Sequence, residues 1–285
     1  MGARFSQRIG LSHALRFVVV ILLIVLSLAI IGATVVAVGH RRFERRLANE
    51  MRELLRVPQS LRAAPVRELP APVERYRRLA VGTRAPVHTL RLHHGGTFRT
   101  SPTAKASPIR GTQLFTADPP GFVWTGRVGM FPGLWFDARD MSIAGAGSMR
   151  VLIDDVVRVV DAHGPQIDQG ASLRLLAEMV WYPTSLFDPR CVTWSAIDDT
   201  HARATLATGD QEVSGVFEFG ADGMPVQMTA ERFTDQGELR PWDGTYADWR
   251  TVSGMRVPFE ASVTWQLASG PCTYAHWLVD SMQFD

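Results

Sequence analysis

The sequence predicts a mainly β, α+β domain. A curled antiparallel sheet or open half-barrel packs on one central helix, and an N-terminal transmembrane helix precedes it. Three observations predict this. Phe17–Val38 is an uncharged apolar run. From Pro86 onward, period-two alternation recurs between glycine-rich turns. One helical pattern, residues 168–182, interrupts those strands. The 285 residues, 46% hydrophobic, suffice for one substantial domain plus an anchor.

The run FVVVILLIVLSLAIIGATVVAV has twenty-two residues, enough to span a bilayer. It is too long for a signal-peptide core, and no convincing cleavage site precedes His40, so it reads as an uncleaved single-pass span. Ala29, Ala33 and Ala37 form a small-residue stripe, more simply apolar filler than a helix-pairing face. The orientation stays open. Arg4, Arg8 and Arg16 precede the span, while Arg41, Arg42, Arg45, Arg46 and Arg52 follow it. That count favours a cytoplasmic C-terminal side, yet a short basic N-terminus before an apolar run also fits a signal anchor with the domain outside.

The net charge of +2 conceals an asymmetry: residues 1–80 hold fourteen arginines against five glutamates, and the remainder is acidic. An acidic domain without a basic stripe argues against a nucleic-acid partner. The expected division is 1–39, tail and span; 40–72, basic juxtamembrane helix and Pro-rich linker; and 73–285, the β domain. In residues 40–56, Phe43, Leu47, Met51 and Leu54 share a face amid arginines, which suits anionic headgroups or a solvated stem. Pro58, Pro65, Pro70 and Pro72 mark the linker. Residues 73–81 form a short helical lead-in with Tyr76 and Leu79 on one side.

Gly95-Gly96, Pro119-Pro120-Gly121, Gly145-Ala146-Gly147, Gly209-Asp210, Ala221-Asp222-Gly223 and Ser269-Gly270 read as turns between roughly ten strands. Phe259–Leu267 alternates most cleanly, and Phe122/Trp124 and Phe217/Phe219 repeat the pattern. Such strands bury one face, and a sheet of this size curls or folds over. The helix takes Asp168 as its expected N-cap and stops before Pro183. Leu173, Leu176, Ala177, Val180 and Trp181 share one face, Leu175 and Met179 extend it, and Arg174 and Glu178 can pair at i, i+4. Cys191 and Cys272 read as two separate buried thiols, although an extracytoplasmic location would permit a disulfide.

No catalytic motif is present. Gly145–Arg150 lacks the third glycine of a dinucleotide loop, and neither G-x-S-x-G nor H-E-x-x-H occurs. His93 and His94 point to opposite faces of a strand, so no metal is expected, and no cofactor either. Glu178, Asp198, Asp199 and Arg232 form the polar set. The structural reading is an ion pair pinning helix to sheet, with Asp198-Asp199 shaping a turn; the enzymatic one makes Glu178 and Asp198 an acid/base pair with Arg232 on an anionic group. The apolar candidates for a ligand face are Trp124, Phe217, Phe219, Val263 and Trp265 from strands, with Leu173, Leu176, Val180 and Trp181 from the helix. Eight tryptophans can line a pocket or fill a core.

Leu69-Pro-Ala-Pro-Val-Glu-Arg-Tyr76, Phe115-Thr-Ala-Asp-Pro-Pro-Gly-Phe-Val-Trp124, Leu176-Ala-Glu-Met-Val-Trp-Tyr-Pro183, Trp194-Ser-Ala-Ile-Asp-Asp199 and Gly254-Met-Arg-Val-Pro258 resemble an uncharacterised family of bacterial membrane-anchored proteins, a domain of unknown function. The resemblance covers residues 69–285 and implies no activity. Its architecture compares with the lipoprotein-carrier half-barrels at the level of fold alone. The expectation is a single-pass protein of the cytoplasmic (inner) membrane that binds a lipid or other apolar ligand in its curled sheet. The alternatives are a hydrolase-like enzyme using Glu178, Asp198 and Arg232, or a ligand-free structural or interaction domain. The oligomeric state is not readable.

Overall fold

The computed structural model describes residues 3–58, 68–131 and 134–285. Helix α1 (Ala3–Leu54) is followed by α2 (Ala71–Ala80), and strands β1 (Thr89–Phe98), β2 (Ser107–Ala117), β3 (Pro120–Phe131), β4 (Leu134–Ile143), β5 (Ala146–Ile153) and β6 (Val157–His163) come next. Helix α3 (Pro165–Glu178) and two 3-10 turns, Met179–Trp181 and Pro183–Phe187, divide these from the rest. The second run is β7 (Val192–Ala196), β8 (His201–Thr208), β9 (Gln211–Phe219), β10 (Pro225–Phe233), β11 (Leu239–Val252), β12 (Met255–Leu267) and β13 (Gly270–Phe284). All thirteen form one sheet in the order β6-β5-β4-β3-β2-β1-β13-β12-β11-β10-β9-β8-β7. Every pairing is antiparallel, and β1 joins β13 at the seam between the two runs.

The sheet curls around α3, which touches β4 and β5 on one side and β9 and β10 on the other. Curling brings the β4–β5 turn onto the β8–β9 turn. Gly145 and Gly209 both have positive φ there, and a Cβ on Gly145 would lie 2.3 Å from the Thr208 carbonyl oxygen. Only glycine tolerates both the conformation and the approach. Helix α3 is buried nearly all round, from Gly170 through Glu178 except Arg174, which is half-buried. It begins earlier than expected: Gly164 is the cap residue and Pro165 opens the first turn. The Asp168 carboxylate instead accepts the Gly147 N–H at 2.7 Å, tying helix to β5.

Helix α1 is long and apolar enough to cross a membrane, by length and composition. Its C-terminal part lies on the sheet face opposite α3. Leu54 is buried with Leu114, Val123 and Ile143, and Leu47 and Met51 pack beside them. Arg139 of β4 meets Glu50 at 3.2 Å, and His40 Nδ1 meets the buried Asp155 at 2.7 Å. The apolar face of residues 40–56, expected on headgroups or in a solvated stem, is therefore used by the sheet. Burying Leu54 contributes about 1.5–3 kcal/mol to that docking.

Other expectations also change. Gly95-Gly96 is no turn; it lies inside β1 beyond a bulge at His93/His94. A Cβ on Gly96 would meet the His276 carbonyl oxygen, so the glycine admits the neighbouring strand. In α2, Tyr76 is buried but Leu79 is exposed. Most of the linker, residues 59–67, lies outside the described residues. Cys191 and Cys272 carry thiols rather than a disulfide.

Candidate functional site

The centre of the half-barrel is a buried polar knot set in an apolar core. Arg174 Nε donates to Glu178 Oε1 at 2.8 Å, as its i, i+4 spacing predicts. Its other nitrogens donate to Asp140 Oδ2 at 2.8 Å and Gln113 Oε1 at 3.1 Å. Gln113 Nε2 donates to Glu178 Oε2 at 2.7 Å, closing a ring. The Arg174 guanidinium lies over Phe122 and Trp124, 4.9 and 4.8 Å from their ring centres. Burial raises the Glu178 pKa, opposed by Arg174 and Gln113. Burial disfavours the Arg174 charge, but Glu178 and Asp140 outweigh it and raise its pKa. Alternation places Gln113, Trp124 and Asp140 side by side on three neighbouring strands.

His94 continues this layer. Its Nε2 accepts from Trp124 Nε1 at 2.8 Å, and its Nδ1 donates to the Gly95 carbonyl at 3.0 Å. That arrangement requires neutral imidazole, and burial lowers the His94 pKa to about 4. His93 faces the other way, toward Thr112.

All nine apolar candidates join one cluster. Trp124, Leu173, Leu176, Val180, Trp181, Phe217 and Phe219 are buried, and Val263 and Trp265 are half-buried against them. The region around α3 is packed, not open. Side chains become half-exposed at one end, where β1, β10 and β12 finish and β11 and β13 begin. There Trp265 lies opposite Trp242, whose Nε1 donates to Tyr274 Oη at 3.1 Å, and Tyr274 stands 6.0 Å from Phe98 and 6.4 Å from Trp265. The strand connections put this end in the same row of turns as the β5–β6 turn that holds α1.

Arg232 lies at this aromatic end. Its guanidinium is 5.1 Å from the Trp242 ring centre and 5.8 Å from that of Trp265. One nitrogen donates to Tyr274 Oη at 3.3 Å, and the buried Nε has no hydrogen-bond partner. Among the described residues no carboxylate lies within ion-pair distance of it.

The four-residue polar set is not assembled. Glu178 is buried on α3 with Arg174, and Arg232 sits apart among tryptophans. Asp198 is exposed in the β7–β8 turn, where its carboxylate accepts the Thr200 and His201 N–H groups at 2.8 and 2.7 Å. Those hydrogen bonds, led by the Thr200 N–H, hold its pKa well below the usual carboxylate range. Asp199 is exposed too, and its carbonyl accepts from Arg75 at 3.2 Å. The acid/base pair of Glu178 and Asp198 is thus not formed. Gln113, Asp140 and Tyr274 were not singled out from sequence, and His94 was weighed there only as a metal ligand. Their one signal is a polar residue on the inward side of an apolar strand, at Gln113 and Asp140. Among the described residues no group of three or more His, Cys, Asp or Glu is arranged to hold a metal.

The chain is similar, at low identity, to several solved structures. A LolA-superfamily protein from Nitrosomonas europaea is 11% identical with a TM-score of 0.39, over 75% of this chain and 92% of its own. A DUF1329-family protein from Desulfovibrio piger is 10% identical with a TM-score of 0.42, over 76% of this chain and 94% of its own. Neither likeness says anything of a ligand. No curated protein matches the chain. The model of a family of unknown function, DUF6544, matches residues 59–277, and the chain belongs to that family.

Proposed function

We propose that this protein is a single-pass module of the cytoplasmic (inner) membrane that holds an amphipathic, lipid-like ligand at the aromatic end of its half-barrel. One observation carries the reading: Arg232 lacks a carboxylate partner yet lies among Trp242, Trp265 and Tyr274 where the core becomes half-exposed. A cation on an apolar, partly desolvated wall suits a ligand with one anionic group and an apolar body. In this reading the ligand lies near Val263 and Trp265, and Leu173, Leu176, Val180, Trp181, Phe217, Phe219 and Trp124 are the packed floor beneath it.

A second reading, a ligand-free interaction domain, is favoured by the packed centre. One experiment separates them. The full chain in nanodiscs is exposed to a photoactivatable fatty acid. Ligand binding predicts crosslinks on β12 and β13 that unlabelled fatty acid suppresses and Arg232→Met weakens. Val263→Trp should abolish them with little change in stability. No crosslinks in the parent, with Val263→Trp costing about 1–3 kcal/mol as overpacking, would refute the ligand reading.

A further inference from the structure

A cavity separate from the half-barrel interior lies where α1 meets the sheet. It measures about 400 Å³ and is lined by Val35, Val38 and Phe43 of α1 and by Leu152 and Val156 at the end of β5 and its turn. Arg42 and Arg46 line it as well. Four residues apart on a helix, they point the same way. Both are exposed, and among the described residues neither lies within ion-pair distance of a carboxylate. The nearby carboxylates are already engaged: Asp155 with His40 and Arg127, and Glu50 with Arg139. Gly39 allows the close approach that frames the cavity, since a Cβ there would be 2.8 Å from the Asp155 carbonyl oxygen.

Depth adds to this chemistry. At about 1.5 Å per residue the stretch Phe17–Val38 covers roughly 33 Å, close to the hydrocarbon thickness of a bilayer. Val35 and Val38 then reach the edge of the acyl region. Arg42 and Arg46 stand about 6 and 12 Å beyond Val38, at phosphate level. Val156 is exposed beside them. The cavity therefore has an apolar part at acyl depth and a paired cationic part at headgroup depth.

We propose that this cavity seats one anionic glycerophospholipid. An acyl chain lies along Val35, Val38 and Val156, and the phosphate sits between Arg42 and Arg46. The proposal rests on α1 crossing a bilayer, as in the reading above, but not on any ligand at the aromatic end. Two guanidinium groups, neither in a close ion pair although Arg46 also acts electrostatically on Glu50, favour an anionic over a zwitterionic headgroup.

The test uses the full chain in nanodiscs of equal phosphatidylglycerol and phosphatidylcholine, released into native mass spectrometry. The parent should retain phosphatidylglycerol preferentially. Arg42→Gln with Arg46→Gln should reduce that preference by about tenfold or more. Arg41→Gln with Arg45→Gln, outside the cavity, should leave it nearly unchanged. Val156→Trp, which fills the apolar part, should lower lipid retention without altering the melting temperature. Excess inorganic phosphate should not displace the lipid. No preference in the parent, equal loss in both arginine pairs, or full displacement by phosphate would overturn the site. Alkaline carbonate extraction of native membranes distinguishes the two readings: release of the protein overturns the span and this site together, whereas retention without lipid preference overturns the site alone.

Discussion

Replacing Arg174 by methionine tests the central knot most directly. Arg174 neutralises two carboxylates, Glu178 and Asp140, and donates to Gln113. Glu178 and Asp140 are both buried. Methionine fills much of the volume and keeps contact with Phe122 and Trp124, so the main loss is electrostatic. Stripping a buried carboxylate of its partner costs about 3–5 kcal/mol. With two carboxylates left, the upper half of that range is expected, a fall of roughly 10 °C or more in Tm for a domain of this size. Glu178→Ala should cost less, about 2–3 kcal/mol, because Arg174 retains Asp140 and only two hydrogen bonds go. Adding Glu178→Gln and Asp140→Asn to Arg174→Met should recover part of the loss. Thermal unfolding of the detergent-purified chain, followed by near-ultraviolet circular dichroism, reads all of these. A fall below 3 °C for Arg174→Met, or no recovery in the triple variant, would refute the electrostatic account.

His94 predicts an acid dependence. Its folded pKa, about 4, lies below the ordinary 6.5, so the unfolded chain binds the proton first. Stability from this group is complete above pH 6.5 and falls as pH drops toward 4, by about 3 kcal/mol. Denaturant titrations across that window should show the loss, and His94→Gln should flatten it. Leu54→Ala should cost about 2–5 kcal/mol if α1 is truly docked on the sheet, and limited proteolysis should then cut within residues 40–58; an unchanged digestion pattern would mean the contact contributes little.

How much of this the sequence reveals depends on how many faces of a strand are covered. In β9 and β12 one face is buried, and Phe217/Phe219 and Phe259–Leu267 alternate visibly. In β2, β3 and β4 both faces are covered, by α3 inside and α1 outside. Leu114 next to Phe115 and Val123 between Phe122 and Trp124 then erase the period. In β4, Asp137, Arg139 and Asp140 are buried polar groups that mimic a surface loop. Arg139 finds Glu50 only once α1 is docked on the sheet, whereas Asp137 and Asp140 are met by Arg127 of β3 and Arg174 of α3. The Arg174–Glu178 pair is legible because it is local. Its completion by Gln113 and Asp140 is not, because those residues lie 65 and 34 positions away from their partners. The aromatic end was half legible: Val263 and Trp265 follow from alternation, but Arg232 joins them only once β10 is laid beside β11. Asp168 shows the reverse error, a helix-capping residue whose carboxylate is taken by another strand.

The seam between β1 and β13, with Leu90 opposite Phe284 and Phe98 opposite Ala275, has a consequence for how the chain matures. These two strands form the middle of the sheet, yet almost two hundred residues separate them along the chain. Until residues 270–284 arrive, β1–β6 and β7–β12 are two blocks with open edges, and no local contact can substitute. The aromatic end needs both partners, Phe98 from β1 and Tyr274 from β13, so it is among the last features to exist. During synthesis α1 is made long before the strand that closes the sheet. Interrupting that strand would leave a tethered pair of unpaired sheet edges, a target for aggregation and for proteases rather than a protein shortened by one edge.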